Sequence, residues 1–414
     1  MTAAVSGVKA AEATAAAETL RGLLPPDLLP LISASFVRSH LLFEEFVDRL
    51  VLRVARATGL EAATREPASA PEVVARLGLE ARRALVPLDW ILRRLAERGT
   101  LEEASAGGAD RRFRSRGAWP QPDPAQMREE QQRHDPACLP SYTLAETVAQ
   151  DYPAFLRGET AGEEVLFSAR RLRLWIDYFS NANCLYAISN HVGAVAVAAW
   201  LRRASGVILE VGGGLGSGAL AVLDRLEAAG RLGEIGEYRF TELVPAFLRR
   251  GQASLQMRHA NPAWLRFGTL DMNCPFAEQG VRPASLSVIY AVNALHVAHD
   301  LDFTLGEVLR ALEPGGQLIV SECVRPHAWQ TIYAEFIFNL METFRAPRLH
   351  PVHRPAGGFL TAEQWRGVIE AEGFADVRFL PDILRVRERV PDFYVAAIGA
   401  TRPRGSRASA PPTA

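Results

Sequence analysis

A run of glycines directly after a short apolar stretch constrains the fold of this chain more than any other feature. Residues 207–211 (VILEV) have the length and the β-branched content of a buried strand, and residues 212–218 (GGGLGSG) follow at once. The apolar residues after them recur at helical spacing. Glycines permit a tight turn and let a ligand approach backbone N–H groups at the start of a helix. This unit predicts a doubly wound, Rossmann-like α/β core with a ligand site at the carboxyl edge of its sheet.

Two further predicted strands end in acidic residues. The segment 238–242 (YRFTE) ends at Glu242, and the next strand is followed by Asp271 and Met272. The carboxyl ends of parallel strands share one edge of a sheet, so we expect Glu210, Glu242 and Asp271 to line one trough. Glu210 would suit an ammonium group, Glu242 two ribose hydroxyls and Asp271 an adenine amino group.

The identity of the ligand follows from the acid before the glycines. A nicotinamide dinucleotide is the alternative, because Gly214, Gly216 and Ala219 satisfy its looser fingerprint. Glu210 favours S-adenosylmethionine, since that cofactor carries an ammonium group and NAD does not. The predicted cofactor-binding residues are Glu210, Gly212, Gly214, Gly216, Glu242, Leu243, Asp271, Met272 and Asn293.

With these motifs the chain resembles the class I S-adenosylmethionine-dependent methyltransferases over roughly residues 205–400. Residues 312–317 (LEPGGQ) before a strand, and a closing helix and strand pair, agree with that class. Within it the chain is most similar to the methyltransferase domains of polyketide synthases. The segments that carry this likeness are YRFTELVPAFLRRG, LDMNCPFAEQG, IYAVNALHVAHDL and, upstream, LWIDYFSNANCLYAISNH.

The candidate catalytic residues are a histidine and a glutamate at neighbouring strand ends. His296 follows the strand 286–290, and Glu322 ends the next strand on the same edge. A carboxylate there could fix the imidazole tautomer and stabilise its protonated form. The related polyketide domains use a His–Glu pair, which implies that His296 is the general base and Glu322 its partner. We expect His299 to face solvent or Asp300.

The acceptor side is predicted from the segment 329–354, which begins as a helical lid. Its aromatic residues would give an apolar roof, and we expect Tyr333, Phe338 and His353 to bind the substrate. His350 and His353 have no cysteine or acid at ligand spacing, so no metal site is predicted.

The N-terminal third has a different, helical pattern. Ser69 and Glu72 form a capping-box pattern, and a second helix runs from about residue 80 to Gly99, with Pro87 expected to kink or divide it. A strand, a turn at 106–109 and an arginine-rich segment complete a winged helix, like the N-terminal part of stand-alone small-molecule O-methyltransferases. The predicted organisation is a helical and winged-helix dimerisation domain (1–140), a helical linker or lid (141–205), the methyltransferase core (206–400) and a disordered tail (401–414). Within the first domain we expect a loose helix or a disordered stretch over 1–20 and a loop or linker over 119–136.

Composition excludes several classes of protein. The 414 residues carry a net charge of −1, and no apolar run approaches the roughly 20 residues of a membrane span. The near-zero charge and the lack of such a run predict no nucleic-acid or membrane partner. The four cysteines lie far apart in sequence, which predicts free thiols and a cytoplasmic protein. A ligand-responsive DNA-binding regulator is the alternative from another class, because Arg111, Arg112, Arg114 and Arg116 would suit phosphates. Glu97, Glu102 and Glu103 offset them.

The resulting functional hypothesis is a homodimeric tailoring enzyme of polyketide or antibiotic biosynthesis. The His–Glu dyad would deprotonate a 1,3-dicarbonyl or pyrone-type acceptor, which arrives free or on a carrier protein. The winged N-terminal domain favours methylation at the enol oxygen. The alternative is C-methylation at the α-carbon of a β-keto polyketide.

Overall fold

The computed structural model describes residues 2–104, 111–201, 206–260 and 262–405, with only the backbone for residues 2–9. Its helices are α1 (Thr2–Arg21), α2 (Ala34–Ala57), α3 (Leu60–Ala63), α4 (Ala70–Arg76), α5 (Ala81–Glu97), α6 (Pro124–His134), α7 (Leu139–Leu156), α8 (Gly162–Phe167), α9 (Leu172–Tyr178), α10 (Cys184–Trp200), α11 (Ser217–Ala228), α12 (Pro245–His259), α13 (Leu301–Ala311), α14 (Glu335–Phe338), α15 (Glu342–Arg345), α16 (Ala362–Ala371) and α17 (Ile383–Arg387). Its strands are β1 (Leu101–Glu103), β2 (Phe113–Ser115), β3 (Gly206–Glu210), β4 (Ile235–Thr241), β5 (Leu265–Gly268), β6 (Leu286–Val292), β7 (Leu312–Cys323), β8 (Ala375–Leu380) and β9 (Val395–Thr401).

Strands β3 to β9 form one seven-stranded sheet in the order β5-β4-β3-β6-β7-β9-β8. The first five strands in this order are parallel, and β9 runs antiparallel to both of its neighbours. The chain moves outward from β3 to β5 and then returns to β6, so the strand order reverses between β3 and β6. Ligands bind at such a switch point in open α/β sheets. The predicted fold class is confirmed.

Alternating residues of the central strands explain why helices cover both faces of this sheet. Ile208, Tyr290 and Ile319 pack with α10 and α11 on one face. Their neighbours Leu209 and Ile289 pack with α13 and α16 on the other. Strands buried on both sides need this continuous apolar content, which is what the sequence shows.

The N-terminal helices and the segment predicted as a lid share a single apolar core. Buried residues of α2, α4, α5 and α7 pack in one cluster with residues 332–344 and Phe359. The predicted boundaries at residues 140 and 205 therefore do not coincide with a gap in the packing. Within 329–354 only two helices of four residues form, α14 and α15.

Several local predictions are corrected by the structure. The lead is a helix packed on α2, with Ala13 and Leu20 buried. The predicted linker contains α6, which Asp123 caps through the amide of Ala125 and which starts with Pro124, so proline there begins a helix instead of preventing one. Helix α5 continues through Pro87 without a division.

The predicted disordered tail begins too early. Thr401 belongs to β9, and the buried Arg402 donates to the carbonyls of Leu309 and Arg310, both at 3.1 Å. Residues 406–414 lie outside the described part of the chain, as does the predicted turn at 106–109.

Three of the four arginines that were predicted to suit phosphates form ion pairs with acids. Arg111 binds Glu103 at 2.6 Å, Arg112 binds Glu72 at 2.7 Å, and Arg114 forms an ion pair with Glu102. Helix α5, which was predicted as the second helix of the winged helix, packs on the segment 329–354, since the Arg93 guanidinium donates to the carbonyl of Trp329 at 3.0 Å. This arrangement leaves little for a DNA backbone to contact.

The expectation of four free thiols is wrong. Cys138 and Cys184 form a disulfide across 46 residues, whereas Cys274 and Cys323 are free. Fold topology, not sequence spacing, brings the two together. Asp135 lies beside the bond, with its carboxylate 3.4 Å from the Cys138 sulfur.

Among the described residues, no helix is both long enough and apolar enough to cross a membrane.

Candidate active site

The glycine loop lies between β3 and α11 and adopts backbone conformations that favour glycine. Gly212, Gly214 and Gly216 have φ values of 66°, 57° and 88°. A Cβ at Gly212 would come within 2.9 Å of the Ala294 side chain, whereas one at Gly214 would meet no atom within 4 Å. Gly214 therefore faces open space, which gives a ligand room to approach the loop.

Glu242 joins this loop to the end of β4. Its carboxylate accepts hydrogen bonds from the amides of Gly214 and Val244, both at 2.8 Å. Burial raises the pKa of Glu242, while these amides oppose the shift. The next residue, Leu243, is 52% exposed and leaves an apolar surface beside the loop.

Glu210 lies beneath the loop and is fully buried. The Tyr238 hydroxyl donates to its carboxylate at 3.0 Å, and burial raises the pKa of Glu210 to about 8. The other carboxylate oxygen lies 2.8 Å from where a Cβ on Gly218 would be. The predicted pairing of Glu210 with an ammonium group stays a prediction.

The remaining predicted cofactor residues lie at the ends of β5 and β6. Asp271 is partly buried and caps the turn that follows it, accepting from the amide of Asn273 at 2.9 Å. The carbonyl of Met272 accepts from the hydroxyl of Thr304 at 2.9 Å. Asn293 has a left-handed φ of 45°, and its side-chain oxygen accepts from the Cys323 amide at 3.1 Å. It thus ties the ends of β6 and β7 together.

The structure brings His296 and Glu322 into direct contact. Nδ1 of His296 lies 2.8 Å from Oε2 of Glu322, and both side chains are buried. Oε1 of Glu322 has no hydrogen-bond partner among the described residues. With Nδ1–H donating to the carboxylate, the lone pair of Nε2 is free to accept a proton. The exposed His299 lies outside this pair.

Aromatic rings surround the histidine. The ring centroids of His296 and Phe359 are 4.4 Å apart, and that of Phe344 is 5.8 Å away. Phe338, one of the predicted substrate residues, lies 6.1 Å from Phe344 and 6.2 Å from Trp175 of α9. Phe344 therefore contacts both His296 and Phe338.

The other two predicted substrate residues lie elsewhere. The Tyr333 hydroxyl is 2.7 Å from that of Tyr394, which in turn is 3.2 Å from Nδ1 of His40 on α2. His353 stacks on His350 with centroids 4.6 Å apart, and its ring lies against Gly367 of α16. The structure therefore does not bring His353 to the aromatic group around His296.

The residues that hold the segment 329–359, here called the cap, over the site were not predicted from the sequence. Glu335 forms a buried ion pair with Arg325, and it accepts from the indole of Trp90 on α5 at 2.9 Å. Such contacts join positions up to 245 residues apart, so no local motif signals them.

The chain is similar in sequence to parts of polyketide synthases. It is 28% identical over 247 residues to the polyketide synthase PksR of Bacillus subtilis, and 29% identical over 236 residues to the highly reducing polyketide synthase aurA of Calcarisporium arbuscula. These alignments cover 58% and 57% of this chain but only 9% of either relative. No protein-family model matches the chain.

Solved structures agree over a larger part of the chain. The CurJ carbon methyltransferase superposes with a TM-score of 0.70 at 23% identity, covering 87% of this chain and 91% of that one. The DszA carbon methyltransferase gives 0.68 at 24% identity, covering 89% and 91%, and the citrinin polyketide synthase CMeT domain gives 0.66 at 17%, covering 98% and 97%. The chain therefore has the class I methyltransferase fold, and the resemblance inferred from its motifs is confirmed.

Proposed function

We propose that this chain is an S-adenosylmethionine-dependent methyltransferase that alkylates the acidic carbon between two carbonyls of a β-keto polyketide. The observation that carries the proposal is the buried His296–Glu322 pair, which lies between the glycine loop edge and a group of aromatic rings. The sequence similarity to polyketide synthases supports the substrate class.

The residues at the strand ends fit the cofactor. The open face of Gly214 and the exposed Leu243 can take a nucleoside, and Glu242 is positioned to accept ribose hydroxyls beside them. S-Adenosylmethionine supplies an electrophilic methyl group when bound. A neighbour that superposes with a TM-score of 0.57, the trans-methyltransferase CalH, was solved in complex with SAH.

The dyad's task is to remove a proton from the acceptor. Nε2 of His296 accepts the proton from the carbon between the carbonyls, and the imidazole becomes positively charged. Glu322 accepts Nδ1–H throughout, which fixes the tautomer and stabilises that charge. A base placed in this way contributes typically 10²–10⁴-fold to a rate. The aromatic neighbours exclude water, so the charge on Glu322 attracts the protonated imidazole more strongly than it would in bulk water.

The carbon methyltransferases among the solved structures support carbon over oxygen, and the N-terminal region does not oppose this choice. A winged N-terminal domain like that of O-methyltransferases would favour oxygen. The carbon methyltransferase structures superpose on 87–98% of this chain, so they include most of the N-terminal helices as well. An N-terminal region of this kind is therefore no argument for oxygen.

Methylation at the enol oxygen is the second candidate. Deprotonation gives an enolate with nucleophilic carbon and oxygen ends, and the orientation of the acceptor decides between them. Either product uses the same dyad. We also propose that the acceptor reaches the site free or on a carrier protein and that the chain acts as a homodimer.

The test is transfer of a labelled methyl group. The protein is incubated with ¹³C-methyl S-adenosylmethionine and a β-keto thioester, and the product is examined by NMR. A methyl signal on the α-carbon is expected, and a methoxy signal would establish the oxygen alternative. Absence of transfer by a protein that still binds the cofactor would contradict the proposal, and His296→Gln is the control for transfer that does not need the dyad.

A further inference from the structure

Arg354 is a buried arginine that contacts the backbone around the proposed base. Its side chain is only 2% exposed. One guanidinium nitrogen donates to the carbonyl of His296 at 2.6 Å, and another donates to the carbonyl of Ala298 at 2.7 Å. The two carbonyls belong to the loop that connects β6 to α13.

This position is costly for a charged group. Burial lowers the pKa of Arg354 to about 10, so the guanidinium still carries its charge at neutral pH. No described carboxylate lies within ion-pair distance of it, although Asp300 and Asp302 attract its charge from farther away, and its Nε has no hydrogen-bond partner among the described residues. A buried charge without a close ion pair costs stability, which indicates that the contacts of Arg354 serve a purpose other than stabilisation.

The loop is also held by Asn293, by the His296–Glu322 pair and by the buried Leu295 and Ala298. Arg354 adds the hydrogen bonds to the carbonyls of His296 and Ala298. Residues 295–297 form a single short helical turn, and Asn293 before them has a left-handed φ of 45°. The side chain of His296 can point Nε2 at an acceptor only if its backbone is fixed. The planar guanidinium presents donors in a rigid fork, so it holds two carbonyls in a set relative orientation.

We propose that Arg354 is a positioning residue that fixes the backbone of His296 and so aims the base at the acceptor. This inference rests on the proposed function of the dyad. Arg354 acts through His296 and does not itself contact the reacting atoms.

The chain offers a matched control in Arg402. It is also buried and also donates to backbone carbonyls, those of Leu309 and Arg310, but at the opposite end of β7 from Glu322. Replacing either arginine with methionine removes the same charge and the same kind of hydrogen bond. A purely structural role predicts the same behaviour for both variants.

Kinetics of these variants test the proposal. We expect Arg354→Met to lower kcat by roughly 10- to 100-fold with little change in cofactor affinity, and Arg402→Met to keep kcat. In a His296→Gln background, Arg354→Met should cause no further loss, because it acts through the same base. Retention of kcat by Arg354→Met would overturn the proposal. So would a loss in the double variant equal to the product of the losses in the two single variants, because that would mean independent effects. If Arg354→Met does not fold, Arg354→Lys, which keeps the charge but not the fork, takes its place.

A second measurement does not depend on activity. In protein labelled with ¹⁵N-histidine, the Nδ1–H proton between His296 and Glu322 gives an NMR signal that His296→Gln removes. Loss of this signal in the Arg354 variant, with retention in Arg402→Met, supports positioning, and retention in both contradicts it. A wild type that transfers no methyl group would refute the proposed function and leave this result to decide the role of Arg354.

Discussion

The two halves of the candidate site are built in different ways. The cofactor edge consists of strand ends and the glycine loop within residues 210–272, and its hydrogen bonds link residues near in sequence, such as Gly214 and Glu242. The acceptor cap, residues 329–359, is held by contacts from remote segments, including α2 and α5. Tyr394 and His40 are 354 residues apart and yet within hydrogen-bond distance. Local motifs thus specify the first half, and tertiary packing specifies the second.

Electrostatics differ in the same way. At the cofactor edge Glu210 and Glu242 are buried and form no ion pair with a described residue, and burial raises the pKa of both. Beneath the cap, acids face arginines. Arg94 binds Glu44 at 3.0 Å, and arginines and His40 lower the pKa of Glu44 to about 2 although burial opposes them. Carboxylates without a partner are poised to gain one from a ligand, whereas paired ones stabilise the fold.

The largest expected effect is on the one pair that lies between the two halves. We expect His296→Gln to lower kcat by roughly 10²–10⁴-fold, because the acceptor loses its base. Cofactor affinity, measured by calorimetry, should not change, since the glycine loop is intact. The control is His299→Gln, an exposed histidine three residues away, which should keep kcat. Near-normal turnover of His296→Gln would show that the dyad is not the base.

The contrast also explains what the sequence could predict. The glycine loop, the acids at the strand ends and the spacing of His296 and Glu322 were predictable, because strand ends of a parallel sheet meet at a known edge. The position of His353 against α16 was not predictable, because a residue in an irregular segment has no periodicity to orient it, and its role in binding substrate stays a prediction. The disulfide and the contacts of Arg354 depend on pairings across 46 and 58 residues, which sequence spacing does not encode.

The second effect concerns the cap alone. Glu335→Ala leaves Arg325 buried without its partner and removes the acceptor for the Trp90 indole. We expect a loss of about 3–5 kcal/mol in the free energy of unfolding, measured by urea titration. The matched control is Glu342→Ala, whose ion pair with Arg82 is exposed and should be worth at most about 1 kcal/mol. Equal losses in both variants would contradict the view that the buried network holds the cap.

The third effect concerns the cofactor edge alone. Gly214→Val adds a branched side chain to the open face of the loop, where we expect the cofactor. Cofactor affinity should fall by roughly 100-fold, a change of about 2.7 kcal/mol. Gly230→Val is the control, since Gly230 also has a positive φ of 67° and open space around it but lies beyond the far end of α11. Wild-type affinity in Gly214→Val would contradict this expectation, and an equal loss in Gly230→Val would mean that backbone strain and not contact with the cofactor explains it.

The last effect is a pH dependence that tests whether a buried acid of the cofactor edge binds a proton in the folded protein. The folded pKa of Glu210 is about 8, above its ordinary 4.5, so between these values the folded state binds a proton that the unfolded state has lost. The stability that this proton gives is complete below pH 4.5 and is lost as the pH rises through 8. Glu210→Gln cannot lose a proton, so its free energy of unfolding should rise relative to that of the wild type as the pH increases from 5 to 9. The exposed Glu313→Gln should run parallel to the wild type, and a parallel course for Glu210→Gln as well would mean that this carboxyl is ionised in the folded protein.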